Sequence, residues 1–417
     1  MKKNLAVIIL AAGKGERMKS ALPKVLHPLC GREMLAWCLD LARSVRPKKI
    51  VAVLGYKQEA VRKFLHRDVK TVLQKKLCGT ADAVKIALTA LKNFKGTILI
   101  LYADNPLLKK ETLSRLLKYH RKNNLDATLL TAWLEKPAGY GRILRDKYNA
   151  IRAIVEEKDA DDFQKDIKEI NTGIACFNKE KLVPALKGIK PNNRKKEYYL
   201  TDAIGIIYKR GGLIDAVKLS DTQEALGINS RSDLASANGI MQRRINEALM
   251  QQGVTIVDPG STFISYGTKI GPDTVIYPFT VIEQKVRIGK RCLIGPFIHL
   301  REDTRIADDV TAGNFSEIVR STIGARTFAK HFCYLGDSRL GRAVNIGAGA
   351  VTANFDGRKK NITVIKDKAF IGSGTVLVAP VKVGKNAVTG AGSAVVKGVR
   401  DNTVVVGVPA KPLKNKK

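Results

Sequence analysis

The stretch L-A-A-G-K-G-E-R-M-K-S-A-L-P-K, Leu10–Lys24, decides how the first half of the chain is read. Before it runs Leu5–Leu10, apolar, β-branched and of strand length. After it comes a helical pattern over Met34–Val45. A buried strand therefore ends in a loop that carries Gly13, Gly15, Lys14, Arg17 and Lys24. The glycines let backbone N–H groups turn toward an anion that side chains would otherwise block. The cations can neutralise phosphate, and the planar fork of Arg17 can grip its oxygens. The spacing is neither G-x-G-x-x-G nor G-x-x-x-x-G-K-[ST], so neither a dinucleotide fold nor a P-loop is signalled. Taken alone, the loop is equally an ordinary turn.

Outward from this loop, strand-like runs alternate with helical patterns. Strands are expected at Ile50–Leu54, Val69–Leu73, Thr97–Tyr102 and Ala127–Thr131. Helices are expected over Gln58–Leu65, Ala81–Leu91 and Lys110–Lys118. The alternation predicts an open, mostly parallel α/β sheet covered on both faces, with ligands beyond the carboxyl ends of its strands. Arg231–Gln252 carries apolar Leu234, Ile240, Met241, Ile245 and Leu249 at helical spacing and reads as a linker helix. The expected division is 1–229, 230–252 and 253–417.

From Gly253 the texture changes. Aliphatic-glycine pairs recur: Ile270-Gly271, Ile288-Gly289, Ile294-Gly295, Ile323-Gly324, Leu335-Gly336, Leu340-Gly341, Ile346-Gly347, Ile371-Gly372 and Val383-Gly384. Many lie at multiples of about six, and small or β-branched residues (Thr327, Val344, Ala350, Thr375, Ala387) fall four positions after the aliphatic one. This is the signature of a hexapeptide β-helix; a sandwich or a propeller does not produce it.

Composition narrows the rest. The chain has 417 residues and ordinary hydrophobic content, 45%, enough for two or three domains with real cores. Its six cysteines are scattered, with no C-x-x-C pair, and read as free thiols in a reducing compartment. No apolar run is long enough to span a bilayer, and Met1–Lys3 leads straight into a core strand, so a cytoplasmic protein is expected. Against 38 acidic residues stand 73 basic ones, a formal charge of +35 with a small cluster at Lys411–Lys417. A polyanionic partner is one reading. A lysine-rich proteome with solvated surfaces is the favoured one, because no nucleic-acid-binding motif accompanies the charge.

The Leu10–Lys24 string resembles the phosphate loop of sugar-1-phosphate nucleotidylyltransferases. Its continuation P-K-V-L-H (Pro23–His27) resembles the bifunctional N-acetylglucosamine-1-phosphate uridyltransferases / glucosamine-1-phosphate N-acetyltransferases. Further matches follow in order: Gln74, Gly79-Thr80, G-Y-G-R (Gly139–Arg142), I-V-E-E-K-D (Ile154–Asp159), E-I-N-T-G-I (Glu169–Ile174) and E-Y-Y-L-T-D (Glu197–Asp202). The resemblance implies a Rossmann-like nucleotidyltransferase domain and a left-handed parallel β-helix. It implies that Leu10, Ala11, Ala12, Gly13, Lys24, Gln74, Gly79, Thr80 and Asn229 bind UTP. Gly141, Glu156 and Asn171 would hold the sugar. Arg17 and Lys24 would be catalytic, and Asp104 and Asn229 would bind Mg²⁺. Residue by residue, Gln74 and Gly79-Thr80 are equally a turn and a helix cap, and Asp104 a strand-end cap. Ala103 stands where the family has glycine, and its methyl is expected to crowd the nucleotide.

In the second half, A-K-H-F-C-Y-L-G-D (Ala329–Asp337), V-N-I-G-A-G and N-F-D-G (Asn354–Gly357) resemble the acetyltransferase half of that family. By resemblance His331 is the general base, although a lone histidine on a β-helix is otherwise structural. Arg301, Glu317, Tyr334, Asn345, Asn354, Phe355, Lys360, Ser373 and Ala391 would bind acceptor and acetyl-CoA, with the N–H of Phe355 serving an oxyanion. Three departures stand out. Val319 replaces a phosphate-binding lysine, with Arg320 expected on the opposite strand face. Gly407 replaces an arginine. The segment from Asn229 to Arg301 is short, implying fewer coils. The expected partners are UTP, N-acetylglucosamine-1-phosphate, glucosamine-1-phosphate and acetyl-CoA, in a homotrimer with no specific nucleic acid. The alternative is a uridyltransferase whose β-helix only trimerises it or acylates another amino sugar.

Overall fold

A computed structural model describes residues 4–415. Met1–Lys3, and Lys416 and Lys417 of the basic terminal cluster, lie outside the described residues. The chain forms two compact units, divided between Asn238 and Gly239, within the helix Arg231–Met250.

The first unit is built on β1 (Leu5–Ala11), β2 (Lys49–Leu54), β3 (Val69–Leu73), β4 (Thr97–Tyr102), β5 (Ala127–Trp133), β6 (Glu169–Asn178) and β7 (Ile214–Lys218). Their order in the sheet is β7-β5-β6-β4-β1-β2-β3. Every residue of β1 is buried. Leu5, Val7, Ile9 and Ala11 join one core, while Ala6, Ile8 and Leu10 join another on the opposite face. Alternating burial on both faces is why this strand reads as a continuous apolar run. Helices Met34–Ser44 and Lys110–Lys122 cover the first face, and Thr80–Thr89 and Asp202–Lys209 the second. The expected parallel sheet is present with one exception: β6 runs antiparallel to both β4 and β5. A hairpin of Gly141–Arg145 and Ile151–Val155 extends from it.

The second unit is a three-sided stack of parallel strands, two to four residues each. The first face begins at Thr255–Ile256, the second at Phe263–Ile264 and the third at Lys269–Ile270. Along the three, strands stack ten, eight and seven deep, the tenth being the antiparallel Lys411–Asn415. In each two-residue strand the second residue faces inward, so Ile270, Ile276, Ile282, Ile288 and Ile294 pile into one core. The aliphatic of each Ile-Gly pair is that inward residue, and the glycine begins the corner. At Gly324 a Cβ would lie 2.2 Å from the carbonyl oxygen of Gly341 in the next coil, so no larger residue fits there. At one corner Phe279, Phe297 and Phe315 stack with ring centroids 4.9 Å apart, the spacing of the coils. The six cysteines are unpaired, and among the described residues no helix is long and apolar enough to cross a membrane.

His120, buried under the first unit's sheet, bonds Thr128 Oγ1 at 2.8 Å. Burial, with Arg121 beside it, pushes its pKa down to about 4. The folded chain therefore keeps it neutral where the unfolded chain protonates it, and stability falls as pH drops from about 6.5 through about 4. His120→Gln removes that titration. Thermal unfolding between pH 7 and pH 4.5 should show a flatter slope for the variant; parallel slopes would contradict this assignment.

Candidate active sites

In the first unit the carboxyl ends of β1 and β4, with the amino-terminal part of the antiparallel β6, open onto a cleft of about 990 Å³. Leu10, Ala11, Ala12, Gly13, Arg17, Lys24, Gln74, Gly79, Thr80, Asp104, Gly141, Glu156, Asn171 and Asn229 all line it. Residues spread over more than two hundred positions thus meet in one place. Lys14 does not; it pairs with Glu16 at 2.8 Å.

The loop after β1 makes a tight left-handed bend at Gly15, φ +65°, where a Cβ would lie 2.6 Å from Lys24 Cβ. The missing side chain lets Lys24 lie against the loop. Lys24 sits on a short helical turn, Lys24–Leu26. His27 Nδ1 is 3.2 Å from both the Pro23 and Lys24 carbonyl oxygens and ties that turn down. The ammonium, mostly buried, reaches Asp104 Oδ2 and Asn229 Oδ1, the latter at 3.1 Å. Asn229 is held there from two sides. Ile228 N–H donates to the Asp104 carbonyl at 2.8 Å, and the N–H groups of Asn229 and Ser230 donate to Asp233 at 2.9 and 2.8 Å. Two hard oxygens therefore already surround one positive charge, a donor set suited to a small divalent ion. Among the described residues no cluster of three or more His, Cys, Asp or Glu is placed to hold a metal.

Gln74 is buried, and its Nε2 donates to Gly79 O at 3.0 Å and Asp82 Oδ2 at 2.8 Å. Gly79, at φ +113°, precedes the helix Thr80–Thr89, and a Cβ there would lie 2.5 Å from Tyr198 O. Thr80 is thus the first helical residue and not the cap; its Oγ1 accepts from Leu200 N–H at 2.9 Å. Gly141 and Asn171 are direct cross-strand partners. A Cβ on Gly141 would lie 3.5 Å from Glu156 Oε2, which brings Glu156 to the same corner. Thr201 Oγ1 donates to Glu156 at 3.0 Å, while burial, followed by nearby Asp202 and Asp159, raises the Glu156 carboxyl pKa. The expected crowding by Ala103 is absent: its methyl is fully buried in the core with Leu99 and Leu101 and lines no part of the cleft.

In the second unit His331 stands at the corner between the first and second faces, its side chain exposed. Backbone bonds from Gly349 to Phe332, Gly374 to Ala348 and Gly392 to Ser373 stack the coils there. They place His331, Ser373 and Ala391 along one edge. Glu317 and Tyr334 are neighbours on the second face, and Arg301 bonds Glu317 at 2.8 Å. Asn345 lies on the first face, paired with Phe328 and Phe370. At the far edge of the second face, Asn354 Nδ2 donates to Asp337 Oδ2 and lies 3.5 Å from Tyr334 Oη. The turn after it is closed by Asn361 N–H on Asn354 O, 2.7 Å, and by Asp356, whose carboxylate takes Arg358 and Lys359 N–H and is pushed down to about 2. Phe355 and Lys360 face each other across that turn, and among the described residues no backbone carbonyl takes the Phe355 N–H.

Arg320 corrects the strand reading. The strand Ser316–Val319 ends before it, and Arg320 takes φ +48°. Its guanidinium turns to Asp337, Nε–Oδ1 2.7 Å and Nη2–Oδ2 2.8 Å, within the Tyr334/Asn354 cluster. Val319 is fully buried. Asp233 and Asp82 stand outside the motifs; His27 and Asp337 end the P-K-V-L-H and A-K-H-F-C-Y-L-G-D strings, but what they do comes from fold contacts to other site residues.

Arg320 holds the Asp337 carboxyl below the ordinary carboxylate range. The pair favours folding above about pH 3.9, and that contribution is lost as pH falls through the folded value. Asp337→Ala should lower the unfolding free energy at pH 7 by roughly 1.5–3 kcal/mol, the worth of a charged hydrogen bond. Urea unfolding should show the gap from wild type narrowing below about pH 4; a gap independent of pH would show that packing, not charge, is lost.

Residues 7–169 match the MobA-like NTP transferase domain, and residues 267–297 match the bacterial transferase hexapeptide of six repeats. Over an alignment 434 positions long the chain is 43% identical to the bifunctional protein GlmU of Desulfitobacterium hafniense (strain DSM 10664 / DCB-2), covering 96% of this chain and 95% of that protein. It is 45% identical to the bifunctional protein GlmU of Thermosipho africanus (strain TCF52B), over 97% of this chain and 94% of that one. The corresponding protein of Geobacillus sp. (strain WCH70) is 42% identical over 96% and 94%. With near-complete coverage at such identity, and both halves folded as the motifs require, the chain belongs to the GlmU family of bifunctional N-acetylglucosamine-1-phosphate uridyltransferases and glucosamine-1-phosphate N-acetyltransferases.

Proposed function

We propose that the chain makes UDP-N-acetylglucosamine in two steps at two separate sites. Acetyl-CoA first acetylates glucosamine-1-phosphate on the β-helix. The product then attacks UTP in the cleft, and pyrophosphate leaves. The observation that carries the second step is the convergence of Lys24, Asp104 and Asn229 at the mouth of the phosphate loop.

In the cleft, Gln74 has both amide hydrogens committed, which leaves its Oε1 to accept from the uracil imide. Gly79 and Thr80 complete that subsite, and the Leu10–Gly13 backbone runs beneath the nucleotide. Gly141, Glu156 and Asn171 hold the sugar and its N-acetyl group. The sugar phosphate oxygen attacks the α-phosphorus in line, with no covalent intermediate, while Arg17 and Lys24 neutralise the phosphoryl oxygens. Asp104 and Asn229 would hold Mg²⁺, which when bound draws charge from the phosphates.

On the β-helix the acceptor amine attacks the thioester carbonyl. His331 takes the amine proton, Phe355 N–H stabilises the oxyanion, and the coenzyme A thiolate leaves. Arg301, Glu317, Tyr334, Asn354 and Lys360 form the acceptor side, and Ser373 and Ala391 continue the His331 edge toward the cofactor. Asn345 is on a different face from Tyr334, and exposed apolar residues such as Leu293, Phe328 and Phe370 line that first face. Both features support a homotrimer with acyl sites between subunits. The free thiols support a cytoplasmic setting. Residues 1–229 would then form the uridyltransferase, 230–252 the linker and 253–417 the acetyltransferase. Val319 and Gly407 favour one rival, a β-helix that acylates a different amino sugar.

Asp104→Asn should cut pyrophosphate release by orders of magnitude and leave acetylation near wild type. His331→Ala should do the reverse, lowering acetylation about 10²–10⁴-fold, the worth of a general base. Both rates are read on the same preparations, with glucosamine-1-phosphate and acetyl-CoA, or with N-acetylglucosamine-1-phosphate, UTP and Mg²⁺. An Asp104→Asn variant at wild-type rate removes the metal assignment. Acetylation faster on another amino sugar hands the β-helix to the rival.

A further inference from the structure

The +35 charge is not spread evenly over the β-helix. Each face presents one outward residue per coil at a fixed register. On the third face that column runs Lys269, Arg287, Arg305, Thr322, Arg339, Val364, Lys382, each opposite the next. The five cations are exposed, and among the described residues none pairs with a carboxylate. The matching column of the first face, from Thr255 to Val404, holds no lysine or arginine. Nor does that of the second, from Phe263 to Ala394. The first column is mostly apolar and the second carries Glu317 and Tyr334, so the third is the column left to carry the charge.

Like charges directly opposite in a sheet repel. Arg287 has a cation on both sides, Lys269 and Arg305. At a strand spacing of about 4.8 Å the row extends roughly 29 Å. The adjoining edge is mixed, with exposed Arg326, Arg342, Lys368 and Lys385 beside Asp273, Asp308, Asp309 and Asp367, so the excess of positive charge lies along the column. Beside Lys269, Arg287 and Arg305 lies a recess of about 420 Å³, also walled by Lys285 and Asp303.

We propose that this third face docks on a bilayer surface carrying anionic headgroups. The face is a sheet of short strands from which no loop or helix stands between the cation column and a plane of phosphates. Single-stranded nucleic acid is disfavoured because the column offers no aromatic side chain and the recess beside it a single one, Tyr266, too few to stack successive bases. Duplex is disfavoured because no helix or ribbon projects from the face to enter a groove. No large apolar side chain projects from the column, so attachment is electrostatic and sensitive to salt.

The test uses the full-length chain and sedimentation with vesicles of 30% phosphatidylserine in phosphatidylcholine. About a fivefold gain in partitioning is expected per surface cation, so Arg287→Gln/Arg305→Gln/Arg339→Gln should bind about a hundredfold less. Wild type should ignore pure phosphatidylcholine and release in high salt. A control, Lys63→Gln/Lys122→Gln/Lys187→Gln, removes equal charge from exposed sites of the first unit and should bind as wild type. Both variants should keep both enzymatic rates. Equal losses in the two variants would mean net charge alone acts. Unchanged binding by the third-face variant overturns the proposal, as does a preference for homopolymer RNA or duplex DNA over vesicles that the third-face variant loses.

Discussion

The ammonium of Lys24 is the hub of the first unit's chemistry. It joins the turn after the phosphate loop, the end of β4 and the Gly227–Asn229 segment. Each of the three is placed independently: by the bend at Gly15, by the buried parallel ladder of β1 and β4, and by the Ile228–Asp104 backbone bond. A mostly buried cation between two oxygen donors is costly to leave half-paired. The cleft is thus organised by charge before any nucleotide enters. The same arrangement explains why the site needs residues so far apart in sequence: parallel strands put their carboxyl ends together regardless of chain distance.

The second unit obeys a different constraint, a period. One coil closes in about eighteen residues, so each side chain meets its counterpart in the coils above and below. Inward columns must be aliphatic or small, and outward columns become continuous stripes. That is how His331, Ser373 and Ala391 come to share an edge although 60 positions separate the first from the last. The same logic gathers Lys269, Arg287 and Arg305 into a basic row.

Much of this was legible beforehand. The Ile-Gly pairs predict the β-helix because sterics at corners such as that of Gly324 exclude anything larger than glycine. The strands Val69–Leu73 and Thr97–Tyr102 match their observed limits, the second as an apolar run, Ile98–Leu101, between a threonine and a tyrosine. The antiparallel insertion of β6 was not legible, because direction is set by connections and not by strand composition. Arg320 was misplaced for a local reason: alternation assumes the strand continues, and here a left-handed residue ends it. Ala103 was misplaced because a strand-end residue can face core or cleft, and only packing decides. Asp82 and Asp233 position other site residues and carry no motif of their own, and Asp337 ends a motif that does not reveal its partner.

The most direct measurement supplies the purified chain with glucosamine-1-phosphate, acetyl-CoA, UTP and Mg²⁺, and follows coenzyme A thiol and pyrophosphate separately in time. Two sites acting in sequence predict thiol release without delay, pyrophosphate after a lag that shortens as enzyme increases, and UDP-N-acetylglucosamine as the end product. Pyrophosphate released from N-acetylglucosamine-1-phosphate but no thiol from glucosamine-1-phosphate would contradict the account and leave the β-helix with another acceptor or none.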